Sequence, residues 1–262
     1  MDASSLLDAL WDRYSADQPY ARRFVELSGG SFRNDHVAFR SLARRNGGVS
    51  TFVRLFEGLG WRRAGTLEFP DVHLSAVHLS HPAGLPRVFV SELHAERLPL
   101  AARAIIDKLE RDPEPVASPE WFARPAARPS RCDLEALDSV SQYAAWLLAF
   151  GRSVNHFTAS VDDIDAAVAR LRANGIPMKT AIEGAPDSPL RQTATAPSLL
   201  PVPRADGAAI ERPYAYFEIA QRKSPFDGFL DKQARQLFEM THPDGRGRDA
   251  GPAPRDARKG TP

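Results

Sequence analysis

Two short stretches carry residues that could do chemistry together. "NDHVAFR" (34–40) and "VNHFTAS" (154–160) are apolar, strand-like runs. Each has a histidine early in the run, directly after an Asp or Asn: His36 and His156. Side chains alternate faces along a strand. His36, Ala38 and Arg40 are therefore expected on one face, with Val37 and Phe39 on the other. In the second stretch His156, Thr158 and Ser160 share a face, opposite Phe157 and Ala159. Both histidines fall on the more polar face. A third run, "YAYFEIAQR" (214–222), sets Glu218 among apolar neighbours. An ionised carboxylate there is costly unless it is paired or bound to a metal. Two histidines and a carboxylate leave coordination positions open on a metal and are the usual holders of non-haem Fe(II). Arg40 lies two pleats from His36, about 13 Å along the strand at most. A guanidinium so placed could grip a carboxylate bidentately while a metal holds the other end of the ligand.

Each residue also has an ordinary reading. A strand histidine is most often solvated or hydrogen-bonded. Glu218 could pair with Arg222 or Lys223, and Arg40 with Asp35 or Glu68. The spacing leaves both readings open; the matched positions of His36 and His156 favour the site. Other candidates are weaker. His73, His78 and His81 lie in "DVHLSAVHLSHP", where His73 and His81 would share the face of a solvated edge strand. His94 is expected in a loop, and His242 adjoins the C-terminal tail. Glu92, in "RVFVSEL", reads as the first counterpart of Glu218, offset by about one residue. Cys132 has no activating context. There is no G-x-G-x-x-G, P-loop or G-x-S-x-G, so nucleotide binding and serine hydrolysis have no local support.

The elements that must position these residues form a repeated order. Residues 1–30 read as a helical segment, with Leu6, Leu7, Leu10, Trp11 and Tyr14 at helical spacing. Residues 31–97 read as strand, helix and three strands, the helix carrying Phe52, Val53, Leu55, Phe56 and Leu59. Residues 98–150 form a helical insert around a Pro-rich centre. Residues 151–222 repeat strand, helix and three strands. Here the helix has acidic residues in its first turn, an Ile164, Val168 and Leu171 face, and Gly175 past its end. A C-terminal segment follows over 223–242. The tail 243–262, rich in Pro, Gly, Arg and Asp, has little to bury and is expected to be disordered. Two such βαβββ units can pair into a curved mixed sheet around a cavity, so the expected class is α+β with added helices.

Bulk properties bound the function. The 262 residues are 43% hydrophobic, enough for a real core, and the formal charge of +1 gives no electrostatic sign of a nucleic-acid or membrane partner. No run approaches the roughly 18 apolar residues of a membrane span. The N-terminal stretch is acidic and amphipathic and does not read as a signal peptide. The single cysteine rules out an internal disulfide, and a reducing cytoplasm is the expected compartment. Oligomeric state is not legible.

"NDHVAFR", "PRVFVSEL", "VNHFTASV" and "YFEIAQR", with "GFLDKQARQLFEMT" after them, together resemble the 2-oxoadipate dioxygenase/decarboxylase (hydroxyglutarate synthase) family over roughly residues 30–242. The resemblance implies a vicinal-oxygen-chelate-like fold. It implies a metal site of His36, His156 and Glu218, and Arg40 as the residue for the substrate carboxylate. It also implies Fe(II), O2 and a 2-oxo acid as reaction partners. Members of that family convert 2-oxoadipate to 2-hydroxyglutarate and CO2, a step of lysine catabolism. A 2-oxo acid can chelate iron through its C1 carboxylate and keto oxygen. This chain is markedly shorter than the long members, whose pocket draws partly on segments without a match here. The same site with Zn(II) or another divalent ion would suit a glyoxalase-like isomerase or lyase. A non-catalytic small-molecule binding module is the alternative of a different class.

Overall fold

The computed structural model describes residues 1–44, 47–109, 113–125 and 128–230. His242 and the 243–262 tail lie outside the described residues, as does most of the 223–242 segment. The described chain is built on a curled seven-stranded sheet in the order β2-β3-β4-β1-β5-β9-β6. The first module runs β1 (Arg33–Leu42), α3 (Val49–Glu57), β2 (Arg62–Phe69), β3 (Leu74–Ser80) and β4 (Arg87–Leu93). The second runs β5 (Val154–Ser160), α7 (Ile164–Ala173), β6 (Leu190–Ala194) and β9 (Glu218–Arg222). In each, the opening strand pairs in parallel with the closing one, β1 with β4 and β5 with β9. The modules meet where β1 and β5 pair antiparallel.

Two helices precede the sheet, α1 (Ala3–Asp17) and α2 (Pro19–Leu27). The chain turns between them because Pro19 starts a new helix, with the Gln18 side chain capping it at the Tyr20 amide. α1 and α3 cover one face of the sheet. Phe157 packs against Trp11 and Tyr14 of α1, and Phe39 against Phe52 and Phe56 of α3. These rings are the odd-numbered strand residues, so alternation sends the neighbouring His36, Arg40 and His156 to the opposite, concave face.

The insert holds α4 (Leu100–Ile106), α5 (Arg131–Asp138) and α6 (Gln142–Phe150). The long pattern ending at Phe150 is two helices: the first ends at Asp138 with Ser139 as its C-cap, and Ser141 caps the second by accepting from the Ala144 amide (3.3 Å). α6 is buried on all sides from Tyr143 to Phe150.

Several expectations shift. The run 177–186 makes only two isolated bridges, Met178 to Thr195 and Glu183 to Gln192, rather than a continuous strand. A hairpin absent from the sequence reading, β7 (Leu199–Val202) with β8 (Ile210–Pro213), is inserted before β9. β3 is an interior strand between β2 and β4, not a solvated edge. His73 precedes it in a left-handed turn (φ 58°) and His81 lies past its end, so the two do not share a strand face.

Candidate metal centre

The β1–β5 pairing brings the two histidines together. Ala38 faces His156 and His36 faces Thr158, so the histidines sit symmetrically about a local two-fold at the module seam. Their Nε2 atoms are 3.2 Å apart. Glu218 enters from β9, in register with Thr158. Its Oε1 is 3.6 Å from His36 Nε2 and its Oε2 3.5 Å from His156 Nε2. The three ligand atoms lie within 4.8 Å of one another, and all three residues are buried. Phe217, one residue earlier, points the other way into Phe24 and Phe32.

Each histidine is oriented by the residue before it. Asp35 Oδ1 lies 2.7 Å from His36 Nδ1, and Asn155 Oδ1 lies 3.0 Å from His156 Nδ1. Strict alternation would put Asp35 and Asn155 on the wrong face. The ladder breaks at both positions: the register shifts between Asn34 and His36 on β1, and between His156 and Val154 on β5. Each shift leaves Asp35 or Asn155 as an extra, unpaired residue, a bulge that frees its side chain from the alternation. The sequence signal was the "DH" and "NH" pairs; their geometry required the bulges.

With Nδ1–H donated to an oxygen, each Nε2 presents a lone pair. Burial lowers both imidazole pKa values, Asp35 opposing the effect at His36 and nearby His36 and Arg40 adding to it at His156. Two neutral nitrogens and a carboxylate therefore face one point. Burial pushes the Glu218 carboxyl up to about 8, with Asp35 adding to the rise. Glu218 Oε1 has no hydrogen-bond partner. A buried carboxylate oxygen left unpaired beside two imidazole lone pairs fits a divalent cation, which would satisfy all three and offset the burial. Thr158 completes the immediate surroundings, its hydroxyl 3.1 Å from His36 Nε2, while Tyr216 stacks on His156 at 4.7 Å.

Arg40 is 1% exposed on the same face. α6 places two aromatic faces against its guanidinium, Tyr143 at 4.9 Å and Trp146 at 5.1 Å. These rings are fixed: the Trp146 indole donates to the Tyr214 carbonyl (2.6 Å), and the Tyr143 hydroxyl sits 2.8 Å from Ser91 Oγ. The insert thus covers this end of the concave face.

Two other expectations change. Asp35 takes its guanidinium partners from Arg222 and Arg87. Glu92 is not the counterpart of Glu218. The position two residues after His36 pairs with Phe89, as the one two residues after His156 pairs with Glu218. Glu92 instead caps α3, accepting from the Val49 amide at 2.9 Å. It does so because the N-cap of α3 is Gly48, which has no side chain to cap with. Among the weaker candidates, His94 contacts Ser75 Oγ (2.9 Å), a partner of Glu92, and Cys132 is exposed and free.

A metal-binding cup between two paired βαβββ modules defines the vicinal-oxygen-chelate class. A protein of Ralstonia eutropha assigned to the glyoxalase superfamily is similar at TM-score 0.76, 25% identical, over 86% of this chain and 84% of that one. The sequence profile of the 2-oxoadipate dioxygenase/decarboxylase family matches residues 114–250, and the chain belongs to that family. The rice 2-oxoadipate dioxygenase/decarboxylase, chloroplastic/amyloplastic, is 26% identical over 268 residues, covering 88% of this chain and 74% of the rice protein. The crystal structure of the Oryza sativa hydroxyglutarate synthase in complex with 2-oxoadipate matches at TM-score 0.81 and 25% identity, over 93% of each chain. The chain covers 62% of the hydroxyglutarate synthase structure of Pseudomonas putida, a longer relative, in line with the expected shortness.

Proposed function

We propose that this chain is an Fe(II)-dependent dioxygenase/decarboxylase of 2-oxoadipate or a similar 2-oxo dicarboxylic acid, giving 2-hydroxyglutarate, or the analogous hydroxy acid, and CO2. The observation that carries the reading is the unpaired, buried Oε1 of Glu218 facing the Nε2 atoms of His36 and His156. These three residues would hold the metal, and bound Fe(II) would supply a chelation point for the 2-oxo acid and a site for O2 chemistry. Asp35 and Asn155, accepting at Nδ1, fix the tautomer of each imidazole and aim its Nε2 inward. Arg40 binds the distal carboxylate and sets chain length. Its planar fork suits a carboxylate, and the Tyr143 and Trp146 faces fix its direction. Tyr216 and Phe229, packed on His156 and His36, exclude water from the reacting end. The cytoplasm suits the exposed Cys132, and among the described residues no helix is long and apolar enough to cross a membrane.

The test is metal analysis of the purified protein, then O2 uptake with a panel of 2-oxo acids after anaerobic Fe(II) loading. Uptake with a six-carbon 2-oxo diacid is expected. Arg40→Ala should keep its metal and lose about tenfold or more in substrate affinity. No uptake with any 2-oxo acid in an iron-loaded sample sinks the dioxygenase reading and turns attention to Zn(II) isomerase chemistry.

A further inference from the structure

Asp35 is the centre of a network that reaches beyond His36. It is 4% exposed, and its carboxylate receives Arg222 at both oxygens, Nε to Oδ2 (2.7 Å) and Nη2 to Oδ1 (3.0 Å). Arg87 Nη1 approaches Oδ2 at 3.4 Å. The other ends of both guanidiniums hold one short segment after β9. Arg222 Nη1 donates to the Gly228 carbonyl, and the Phe229 ring lies over the guanidinium at 4.9 Å. Arg87 pairs with the Asp227 carboxylate and donates through Nε to the Asp227 carbonyl (3.1 Å). Residues 227–229 are thus strapped to the same two arginines that hold Asp35.

The strap ends on the metal centre. The Phe229 ring is 4.9 Å from the His36 ring, 5.1 Å from His78 and 5.0 Å from Phe89. Phe89 occupies the first module's equivalent of the Glu218 position, so this half of the cup is an apolar seat where the other half supplies a ligand. His78 fits into that seat because its strand neighbour is Gly65, where a Cβ would come within 2.4 Å of the His78 ring.

We propose that Arg222, supported by Arg87, is a positioning residue that couples seating of the 227–229 strap to the alignment of His36. The inference rests on the metal reading above. One guanidinium fork fixes the Asp35 carboxylate in its plane and the strap carbonyl at its far side. Asp35 in turn fixes the His36 ring. With the strap lifted, Arg222 loses the Gly228 carbonyl and the Phe229 face, and its hold on Asp35 loosens. The coupling is reciprocal: a cation that fixes His36 also favours the seated strap. Lysine can replace this function only in part, because one ammonium cannot serve both carboxylate oxygens and the carbonyl in that geometry.

The experiment needs no turnover. Metal-free full-length protein is titrated with Mn(II) against a fluorescent chelator, and amide hydrogen exchange over residues 226–229 is followed with and without Mn(II). Wild type is expected to bind Mn(II) and to show slower strap exchange when loaded. Arg222→Ala, which frees the Asp35 partner of His36, should bind about tenfold more weakly, the low end of the loss when such a partner is itself removed, and its strap should exchange fast with or without Mn(II). Arg222→Lys, which retains the buried charge should the alanine variant fail to fold, should lie between. A residue that only stabilised the fold would leave the Mn(II)-dependent slowing intact. The proposal is overturned if the Arg222 variants bind Mn(II) within twofold of wild type, or if Mn(II) leaves wild-type strap exchange unchanged. Failure of wild type to bind Mn(II) or Fe(II) overturns the metal reading itself, a different result from an Arg222 variant that binds normally.

Discussion

Replacing Glu218 by glutamine should make the metal-free protein more stable and the metal-loaded protein less so. Without a cation the carboxylate is 1% exposed, has an oxygen with no partner, and titrates near 8 rather than at its ordinary 4.5 because burial disfavours its charge. The sign follows from linkage. The folded state binds a proton that the unfolded chain releases, so this contribution is absent below about pH 4.5. Stability is lost progressively as the pH rises toward about 8. From 4.5 to pH 7, at about 1.4 kcal/mol per pH unit, the penalty is roughly 3–4 kcal/mol. The glutamine amide carries no charge at any pH and avoids it. Metal reverses the order: at a free concentration 100 times its Kd, a cation that binds only the native state adds about 2.7 kcal/mol to wild type, and the amide, a poor metal ligand, forgoes most of that gain. The assay is urea unfolding of wild type and variant from pH 5 to 8, each with and without Mn(II). The expected pattern is a falling metal-free stability for wild type, a flatter one for Glu218→Gln, and a metal-induced gain confined to wild type. A metal-free variant less stable than wild type at pH 7, or an equal metal-induced gain in both, would refute the reasoning.

Asn155→Ala removes the oxygen that orients His156 and should weaken metal binding by about tenfold in a chelator competition, with little change in overall stability. Trp146→Ala empties a site that is 2% exposed and strands the Tyr214 carbonyl; a loss of about 3–5 kcal/mol in urea unfolding is expected, with weaker substrate binding through Arg40. Gly48→Ala should cost roughly 1–3 kcal/mol in the same assay. Gly48 has φ 62°, and a Cβ would meet the Leu42 carbonyl oxygen at 2.4 Å and Glu92 Oε2 at 2.6 Å, disturbing the cap of α3.

The sequence made the alternating faces of β1 and β5 legible, and with them the shared side of His36 and Arg40. It also showed the recurrence of a histidine at the start of each module. Those signals are local and periodic, so they survive in a single chain. Three things were hidden, each for a physical reason. The bulges at Asp35 and Asn155 depend on the partner strand's register, which no spacing within one strand reveals. The aromatic faces on Arg40 come from α6, distant in the chain, whose all-apolar sequence hides which side meets the sheet. Glu92 resembled Glu218 in context, but it lies three residues past Phe89, the equivalent position, and an odd offset in a two-residue period sends a side chain to the opposite face. There it found a helix terminus instead of a cup.

The two histidines are 120 residues apart in the chain, and Glu218 comes later still. They become neighbours only when β1 and β5 have zipped together and β9 has docked in register with Thr158. Each of these contacts closes a long loop, the kind of event expected late in folding. A ribosome-bound chain lacking β9 has no complete ligand set to offer, so a free cation cannot act as a template for the nascent protein. Metal capture would then mark the completion of assembly, and a polypeptide arrested before residue 218 should emerge without the ability to retain the ion.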